Sequence, residues 1–276
     1  RRRRGPGHDW CIIRLGLPGT IKAVTVDTNH FSGNHPEACS LDMCEADAGT
    51  TGEALAARDD WSKILPTSPL EGHSENHFLV AADRRATHVR LHIYPDGGVA
   101  RLRIRGEVMP DWASILAGGE AIDLLAIEHG GVPLACSDQF FSEPINLIMP
   151  GRSTSMKDGW ETRRRRGPGH DWAILHLGRP GVLERLVIDT NHFKGNFPES
   201  CSVEGCDAPG ATAETLQSDA VTWRELLPRT KLTAHHEHVF ERLEDVGAVS
   251  HVRINSYPDG GISRLRAFGR PVPAVG

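Results

Sequence analysis

Two histidine–glutamate pairs have the spacing that proton-transfer chemistry needs. One residue separates His73 from Glu75, and one residue separates His235 from Glu237. In an extended segment the side chains of residues i and i+2 point to the same side, so an imidazole and a carboxylate can converge on one atom. Such a pair can act as a base and its orienting partner, or it can bind a metal ion. We therefore take these four residues as candidate catalytic groups.

Two histidine–arginine pairs have the same spacing and suit the binding of an acidic group. His88 precedes Arg90 and His251 precedes Arg253, each pair just before a Tyr-Pro-Asp-Gly-Gly segment. An arginine on a strand beside a tight turn can bind a carboxylate through two parallel hydrogen bonds. These four residues are candidate substrate-binding groups. An ion pair within the sheet is an equally good interpretation of each arginine.

A third cluster, Asp-Thr-Asn-His, occupies residues 27–30 and 189–192. Strand alternation would place the aspartate and asparagine on one face and the threonine and histidine on the other. Asn29 and Asn191 are therefore further candidates for substrate binding. The alternative role is structural, because Asn, Asp and Thr side chains often form hydrogen bonds with the backbone of nearby turns.

Each cluster occurs twice because the chain is a tandem repeat. The decapeptide Arg-Arg-Arg-Arg-Gly-Pro-Gly-His-Asp-Trp fills residues 1–10 and again residues 163–172, and the later matches follow in the same order. A repeat of this length has the size of one domain. We predict two domains, at residues 1–112 and 119–276. The second has a lead-in, residues 119–162, without a counterpart in the first, so we expect the first domain to lack its N-terminal part.

Short alternating segments predict an all-β fold. Apolar and polar residues alternate over residues 21–27, 88–94 and 99–105, and turns rich in glycine and proline lie close to them. This pattern is typical of β-sandwiches, and we predict two jelly-roll-like sandwiches in tandem. Helices are expected only at residues 120–129, which Gly130 follows, and in short segments at residues 61–65 and 223–227, each ended by a proline.

The composition argues against several classes of protein. The net charge is −5, which speaks against a general nucleic-acid binder, and the arginine clusters are interpreted as architecture because the second lies inside a domain. No apolar run is long enough to span a bilayer. Six cysteines in a chain of 276 residues are too few for a disulfide framework. We expect reduced, partly buried thiols and a cytoplasmic protein.

Longer motifs make the sequence similar to the allantoicase family over essentially its whole length. They occupy residues 137–141, 146–152, 158–164 and 167–172, together with both copies of Asp-Thr-Asn-His-Phe-x-Gly-Asn and of Tyr-Pro-Asp-Gly-Gly. The resemblance implies two jelly-roll domains of galactose-binding-like shape. It also implies a hydrolase that cleaves a C–N bond of allantoate to give (S)-ureidoglycolate and urea in purine degradation. We expect a homo-oligomer without an organic cofactor.

The implied reaction gives each candidate residue a role. The carboxylate of allantoate needs a cation, which Arg90 or Arg253 would supply. The histidine–glutamate pairs would protonate the departing ureido nitrogen and activate water, unless a divalent metal ion activates the water instead. Asn29 or Asn191 would hold the ureido oxygens.

Two alternatives stay open. Either copy of the repeat could be catalytic while the other is structural. The whole chain could instead be a non-catalytic sandwich that binds a small ligand or a carbohydrate. Binding modules of that kind use exposed aromatic platforms, and the aromatic content of 6% speaks against one.

Overall fold

Two long antiparallel strands organise the first half of the chain. The computed structural model describes residues 5–272, which divide into two compact units between Pro110 and Asp111; the arginine cluster at residues 1–4 lies outside the described residues. The first unit contains β1 (Asp9–Asp27), β2 (Ala38–Cys44), α1 (Gly52–Ala57), β3 (Ser62–Pro69), β4 (Glu75–Tyr94) and β5 (Arg101–Val108). Its strands lie in the order β3-β2-β4-β1-β5.

The long strands β1 and β4 take part in both layers of a sandwich. The first residues of β1, as far as Arg14, pair with residues 88–93 of β4, on the side where β4 also pairs with β2. After register shifts between Arg14 and Ala23, the end of β1 pairs with the start of β4 and with β5. Val24, Leu41 and Val89 are among the apolar residues buried between these layers. The first unit is therefore a jelly-roll sandwich, as predicted.

The second unit repeats this plan with a longer lead-in. The lead-in contains α2 (Trp112–Ala117), β6 (Ile122–Asp123), β7 (Val132–Cys136) and β8 (Trp160–Glu161). The repeat itself contains β9 (Asp171–Asp189), β10 (Ser200–Cys206), α3 (Ala213–Leu216), β11 (Arg224–Lys231), β12 (Glu237–Phe240), β13 (Val249–Tyr257), β14 (Gly261–Ile262) and β15 (Arg264–Pro271). The long strand β9 corresponds to β1 and, like it, pairs with different neighbours along its two halves.

The two layers of the second unit share β9. One layer has the strand order β11-β10-β13-β9-β7, and the other has the order β12-β9-β15-β6. Ser256 pairs with Asp171 at the start of β9, and Arg264 pairs with Asp189 at its end. Residues 257–263, which connect β13 to β15, therefore link the two ends of β9. We call this side of the second unit the loop end.

The helix predictions were wrong at all three places. Residues 120–129 form β6 and a single 3-10 turn, because the Asp123 carboxylate accepts hydrogen bonds from the backbone N–H groups of Leu125 and Ala267. Residues 61–65 and 223–227 fall largely in β3 and β11, which are edge strands. Proline lacks a backbone donor and is tolerated on an edge strand, so Pro66 and Pro228 do not require a helix before them.

The remaining predictions about class are consistent with the structure. All six cysteines are free, and Cys39, Cys44, Cys201 and Cys206 are buried. Burial raises the pKa of Cys39 to about 11 and that of Cys201 to about 12, so both stay protonated thiols at neutral pH. No helix among residues 5–272 is long and apolar enough to cross a membrane.

Candidate active site at the loop end of the second unit

The predicted histidine–glutamate pairs start strands but do not lie wholly within them. Glu75 begins β4 and Glu237 begins β12, and each pairs with the last aspartate of the neighbouring long strand, Asp27 or Asp189. The histidines precede these strands in left-handed conformation, with φ of 52° at His73 and 51° at His235. The expectation of an extended His-x-Glu segment was therefore wrong, because strand alternation does not apply to a left-handed residue.

The imidazoles of these two histidines hold a neighbouring loop. Nδ1 of His73 accepts a hydrogen bond from the backbone N–H of His30 at 2.9 Å, and Nδ1 of His235 accepts one from the N–H of His192 at 2.8 Å. A backbone N–H can only donate, so Nδ1 carries no proton and the neutral ring is protonated at Nε2. In this arrangement Nδ1 is not available as a base.

The two candidate asparagines are held in turns. The backbone N–H of Asn29 donates to the Asp27 carboxylate at 2.8 Å, and that of Asn191 donates to Asp189 at 2.9 Å. The side-chain amide of Asn191 donates to Ser153 and is buried. Asn191 thus has the side-chain contact of the structural alternative, whereas in the first unit the Asp27 side chain makes the contact with the turn backbone.

Both candidate arginines form ion pairs within a sheet. Arg90 contacts Asp42 at 3.1 Å, and Arg253 contacts Glu204 at 2.8 Å. Each guanidinium also stacks on a tryptophan, Trp61 or Trp223. The structure therefore has the ion pair within the sheet that was the alternative interpretation of each arginine.

The histidine–arginine pairs lie apart from the histidine–glutamate pairs. His88 and His251 form hydrogen bonds with the hydroxyls of the preceding residues, Thr87 and Ser250. Along β1, the partner of Glu75 is Asp27, whereas the partner of Arg90 is Ile12, fifteen residues earlier (27 − 12 = 15). The structure does not bring the arginines together with the histidine–glutamate pairs.

One cleft at the loop end contains Glu237 and Asp189 but uses its arginines structurally. This cleft has a volume of about 390 Å³. Arg264 is 4% exposed and donates to the carbonyls of Asn146 and Gly151, with Asp158 as its ion-pair partner. Because its donors hold the lead-in on the sheet, Arg264 has little capacity left for a ligand.

A second cleft, which we call the motif cleft, is built from the repeated motifs themselves. It has a volume of about 590 Å³ and its walls come from the lead-in, from the loop that follows β9 and from the connection between β13 and β14. Its charged and amide-bearing lining residues are Glu161, Arg164, Arg165, Asn196, Glu199, Lys231 and Asp259.

Glu161 is a carboxyl of the motif cleft whose pKa is raised above the ordinary value. It lies on β8, which pairs with β14, and is only partly exposed. Burial raises its pKa, and a hydrogen bond donated by the side-chain amide of Asn196 partly offsets that shift. A glutamate whose pKa is raised toward neutrality is suited to donate a proton.

The basic residues of the motif cleft differ in how strongly they are engaged. Arg165 pairs with buried Asp171, and its backbone N–H donates to the Asp259 carboxylate at 2.8 Å. Arg164 is exposed and has neither a hydrogen bond nor an ion pair within residues 5–272. Arg164 is therefore available to bind an anionic ligand.

Two glycines allow the loops around this cleft to meet. Gly260 has φ of 131°, and a Cβ on it would lie 2.7 Å from the backbone nitrogen of Pro198. A Cβ on Gly261 would lie 1.9 Å from the ring of fully buried Phe193. The Tyr-Pro-Asp-Gly-Gly and Asp-Thr-Asn-His-Phe motifs are therefore two halves of one packed unit.

The residues of the motif cleft were not among the predicted site residues, although they lie in the repeated and family-like motifs. Glu161, Arg164, Asn196 and Asp259 all lie in segments that recur or that carried the family resemblance. The arginine cluster was interpreted as architecture, which holds for Arg165 but not for the exposed Arg164. The usable signal was the presence of charged residues beside glycines in loops, rather than on alternating strands.

The first unit contains counterparts of part of this cleft. Asn34 and Asp96 occupy the positions of Asn196 and Asp259 in the repeat. The counterparts of Arg164 and Arg165, Arg2 and Arg3, lie outside the described residues.

A metal centre is not built by the described side chains. Within residues 5–272 no three His, Cys, Asp or Glu side chains are placed so that they could hold one ion. The carboxylates of the motif cleft are instead bonded to nitrogen donors, Glu161 to Asn196 and Asp259 to the N–H of Arg165. These donor sets do not fit a metal ion, and no step below passes through one.

Comparison with known proteins assigns the fold to a family. The Allantoicase repeat family model matches residues 1–109 and 122–272. A probable allantoicase of Pseudomonas paraeruginosa is 51% identical over 272 residues, 98% of this chain and 80% of its own length, and one of Stutzerimonas stutzeri is 47% identical over 273 residues, 99% of this chain and 81% of its own length. The crystal structure of allantoicase from Saccharomyces cerevisiae superposes with a TM-score of 0.81 at 36% identity, covering 98% of this chain and 80% of that one. The chain, with its two jelly-roll repeats, belongs to the allantoicase family.

Proposed function

We propose that the chain hydrolyses allantoate to (S)-ureidoglycolate and urea, a step of purine degradation, in the motif cleft of the second unit. Family membership supports the reaction. One observation supports the motif cleft as the site. The partly buried Glu161 carboxyl accepts a hydrogen bond from Asn196 there, in a cleft that Arg164 also lines without an ion-pair partner among the described residues.

Substrate binding requires a cation for the carboxylate and a polar partner for a ureido group. Arg164 and Lys231 line the cleft without ion-pair partners among the described residues, and we assign the carboxylate to them. The Asn196 amide group can donate to one ureido oxygen and accept from a ureido nitrogen. The groups hold the central carbon of allantoate near Glu161.

The reaction replaces a C–N bond of that carbon with a C–O bond. Protonated Glu161 donates its proton to the departing ureido nitrogen, which leaves as urea. The Asp259 carboxylate accepts a proton from the water whose oxygen bonds to the central carbon, giving the hydroxyl of ureidoglycolate. One water is consumed, and a proton passes from Asp259 back to Glu161 through solvent before the next turnover.

The residues first selected from the sequence then have supporting roles. His235 and Asn191 hold the loop that carries Asn196, and Glu237 lines the neighbouring cleft. Their counterparts in the first unit, His73, Asn29 and Glu75, are proposed to act in the same way there. Arg90, Arg253, His88 and His251 are proposed to stabilise the sheets.

Urea release from allantoate tests the reaction and its place. The purified chain is assayed with and without a chelator, together with the variants Glu161→Gln and Arg164→Ala. Arg166→Ala is the matched control, because Arg166 is a neighbouring exposed arginine that does not line the cleft. Full activity in both cleft variants would exclude this site.

One observation favours the alternative of a ligand-binding module. Phe140 and Phe141 are 57% and 60% exposed, and Phe141 lines the motif cleft, so the site does have an aromatic wall. Allantoate binding without urea release would establish that function instead. Carbohydrate binding is then measured by calorimetry with simple sugars.

We propose that the enzyme is a homo-oligomer and that it is located in the cytoplasm. The free thiols support a reducing compartment, and the exposed pair Phe140 and Phe141 supports a contact between subunits. The net charge of −5 supports the absence of nucleic-acid binding. Light scattering of the purified chain measures the oligomeric state.

A further inference from the structure

We infer that His235 is a positioning residue, whose Nδ1 fixes the loop that brings Asn196 into the motif cleft. The inference rests on the proposed function, because it treats Asn196 as part of the active site. Its starting point is a pair of contacts between two segments that are far apart in the sequence, residues 189–197 and the segment just before β12.

The two segments are joined through both the side chain and the backbone of His235. Its Nδ1 accepts from the N–H of His192 at 2.8 Å, and its own N–H donates to the carbonyl of Phe193 at 3.1 Å. The hydroxyl of Thr190 adds a bond to the carbonyl of Thr233 at 2.7 Å. Further hydrogen bonds join the N–H and hydroxyl of Thr190 to the backbone of His236, so the turn at residues 190–193 is bonded to this segment at several points.

The turn has a conformation that needs such support. His192 has φ of 68° and His235 has φ of 51°, in the left-handed region that residues with a Cβ rarely adopt. Conformations of this kind persist where surrounding contacts hold them. The Nδ1 contact is one such constraint, and loss of it frees the turn to relax toward ordinary φ values.

The turn is coupled to the cleft by packing. Phe193 is fully buried against Gly159 and Gly261, and three residues later Asn196 donates its side-chain amide to Glu161. The carbonyl of Asn196 accepts from the N–H of Gly261 at 2.8 Å. A shift of the turn therefore displaces Asn196 relative to Glu161.

The first unit has the same arrangement, which makes a chance contact improbable. Nδ1 of His73 accepts from the N–H of His30 at 2.9 Å, and both residues have positive φ, 52° and 71°. The N–H of His73 donates to the carbonyl of Phe31 at 3.3 Å. The two histidine rings are 5.7 Å apart in this unit and also in the second.

The chemistry of the contact suggests a conservative replacement. The side-chain oxygen of asparagine lies close to the position of histidine Nδ1, whereas that of glutamine lies close to Nε2. Asparagine also tolerates left-handed backbone better than most residues. His235→Asn should therefore keep the acceptor for His192, and His235→Gln should lose it.

The experiment compares these variants with His236→Gln, which changes a neighbouring exposed histidine that meets the turn through its backbone and not through its side chain. kcat and KM for allantoate are measured, together with hydrogen exchange of residues 190–197. We expect His235→Gln to lose at least about tenfold in kcat/KM and to exchange faster in this loop, because small displacements of catalytic groups are costly. His235→Asn and the control should behave like the unchanged chain in both measurements.

Each other outcome has a definite meaning. Unchanged exchange in His235→Gln would overturn the positioning role. Equal loss of kcat in the Asn and Gln variants, with exchange preserved in His235→Asn, would also overturn it and would assign chemistry to the imidazole itself. Faster exchange with full activity would confirm the positioning of the loop and reject the motif cleft as the active site.

An NMR measurement on the unchanged chain tests the inference even where the variants fail to fold. Long-range ¹H–¹⁵N spectra identify which ring nitrogen of His235 is protonated. We expect the Nε2–H tautomer, because Nδ1 accepts a backbone hydrogen bond. A neutral ring protonated at Nδ1 would contradict the inference without any substitution.

Discussion

The carboxylate of Glu161 accepts a hydrogen bond from the side-chain amide of Asn196, thirty-five residues further along the chain. One residue comes from the lead-in and the other from the loop after β9. Their contact joins the part of the second unit that has no counterpart among the described residues of the first unit to the part that is repeated. This contact therefore fastens the lead-in to the repeated motifs at the motif cleft.

Substitution Glu161→Gln should lower kcat by about a hundredfold to a thousandfold, because general acids contribute roughly that factor. KM should change little, since the amide is isosteric. Steady-state assays of urea release give both constants. Glu143 is an exposed glutamate that does not line the motif cleft, so the matched change Glu143→Gln should leave kcat unaltered; a similar loss in that control would point to a general effect of charge.

The pH dependence of kcat should have an alkaline limb set by Glu161. Burial raises the pKa of this carboxyl, so the protonated, proton-donating form persists to higher pH than for an ordinary glutamate. Activity should be present below that pKa and lost as pH rises through it. The limb should disappear in Glu161→Gln, and its persistence there would assign it to another group.

Substitution Arg164→Ala should raise KM for allantoate by about tenfold to a hundredfold with a smaller effect on kcat, because a charged hydrogen bond to a carboxylate is worth roughly 1.5–3 kcal/mol. Arg164→Lys should recover part of that loss, since it keeps the charge without the planar guanidinium. Initial-rate kinetics over a range of allantoate concentrations give the two constants. An unchanged KM in Arg164→Ala would place the substrate carboxylate elsewhere.

Acid should destabilise the second unit through His251. This residue is 1% exposed, and burial, with a smaller contribution from neighbouring His176, lowers its pKa to about 4. The unfolded chain binds the proton with an ordinary pKa, so stability is complete above about pH 6.5 and declines as pH falls from there toward 4. His251→Asn should flatten that decline by on the order of 2 kcal/mol, as urea unfolding at several pH values would measure. A decline of unchanged steepness in the variant would mean that other groups cause it.

Substitution Gly261→Ala should destabilise the fold by roughly 1–3 kcal/mol, because a Cβ there overlaps the ring of buried Phe193. Gly195→Ala is the matched control in the same cleft, because a Cβ at Gly195 has no atom within 4 Å. Thermal unfolding followed by circular dichroism compares the two. Equal Tm values would show that Phe193 can move aside without cost.

The sandwich was predictable from the sequence because apolar and polar residues alternate along its strands. Residues such as Val24 and Val26 alternate with polar neighbours, and that alternation is a local signal. The expected helix at residues 120–129 failed because Asp123 pairs with β15, a contact about 145 residues away that no local pattern records. Tertiary pairing overrode the apolar spacing there.

The site was harder to predict because its residues lie in loops. Strand alternation suggested that His235 and Glu237 act together, but the left-handed φ of His235 breaks the alternation. Glu161, Asn196 and Asp259 are separated by 35 and 63 residues (196 − 161 = 35; 259 − 196 = 63), and their loops meet through tertiary contacts such as the packing of Phe193 on Gly261. Repetition marked these segments as important without giving their geometry.

The passage of β9 through both layers has a mechanical consequence. A single covalent strand fixes one layer to the other, so neither can slide or swing without breaking the hydrogen bonds of β9 to β13 and β15. Two walls of the motif cleft come from segments that adjoin the ends of β9, residues 161–165 before it and residues 195–199 after it, so their separation is set when the domain folds. The cleft should then select substrates by size. A bulkier ureido compound should not bind, because the cleft cannot widen to admit it.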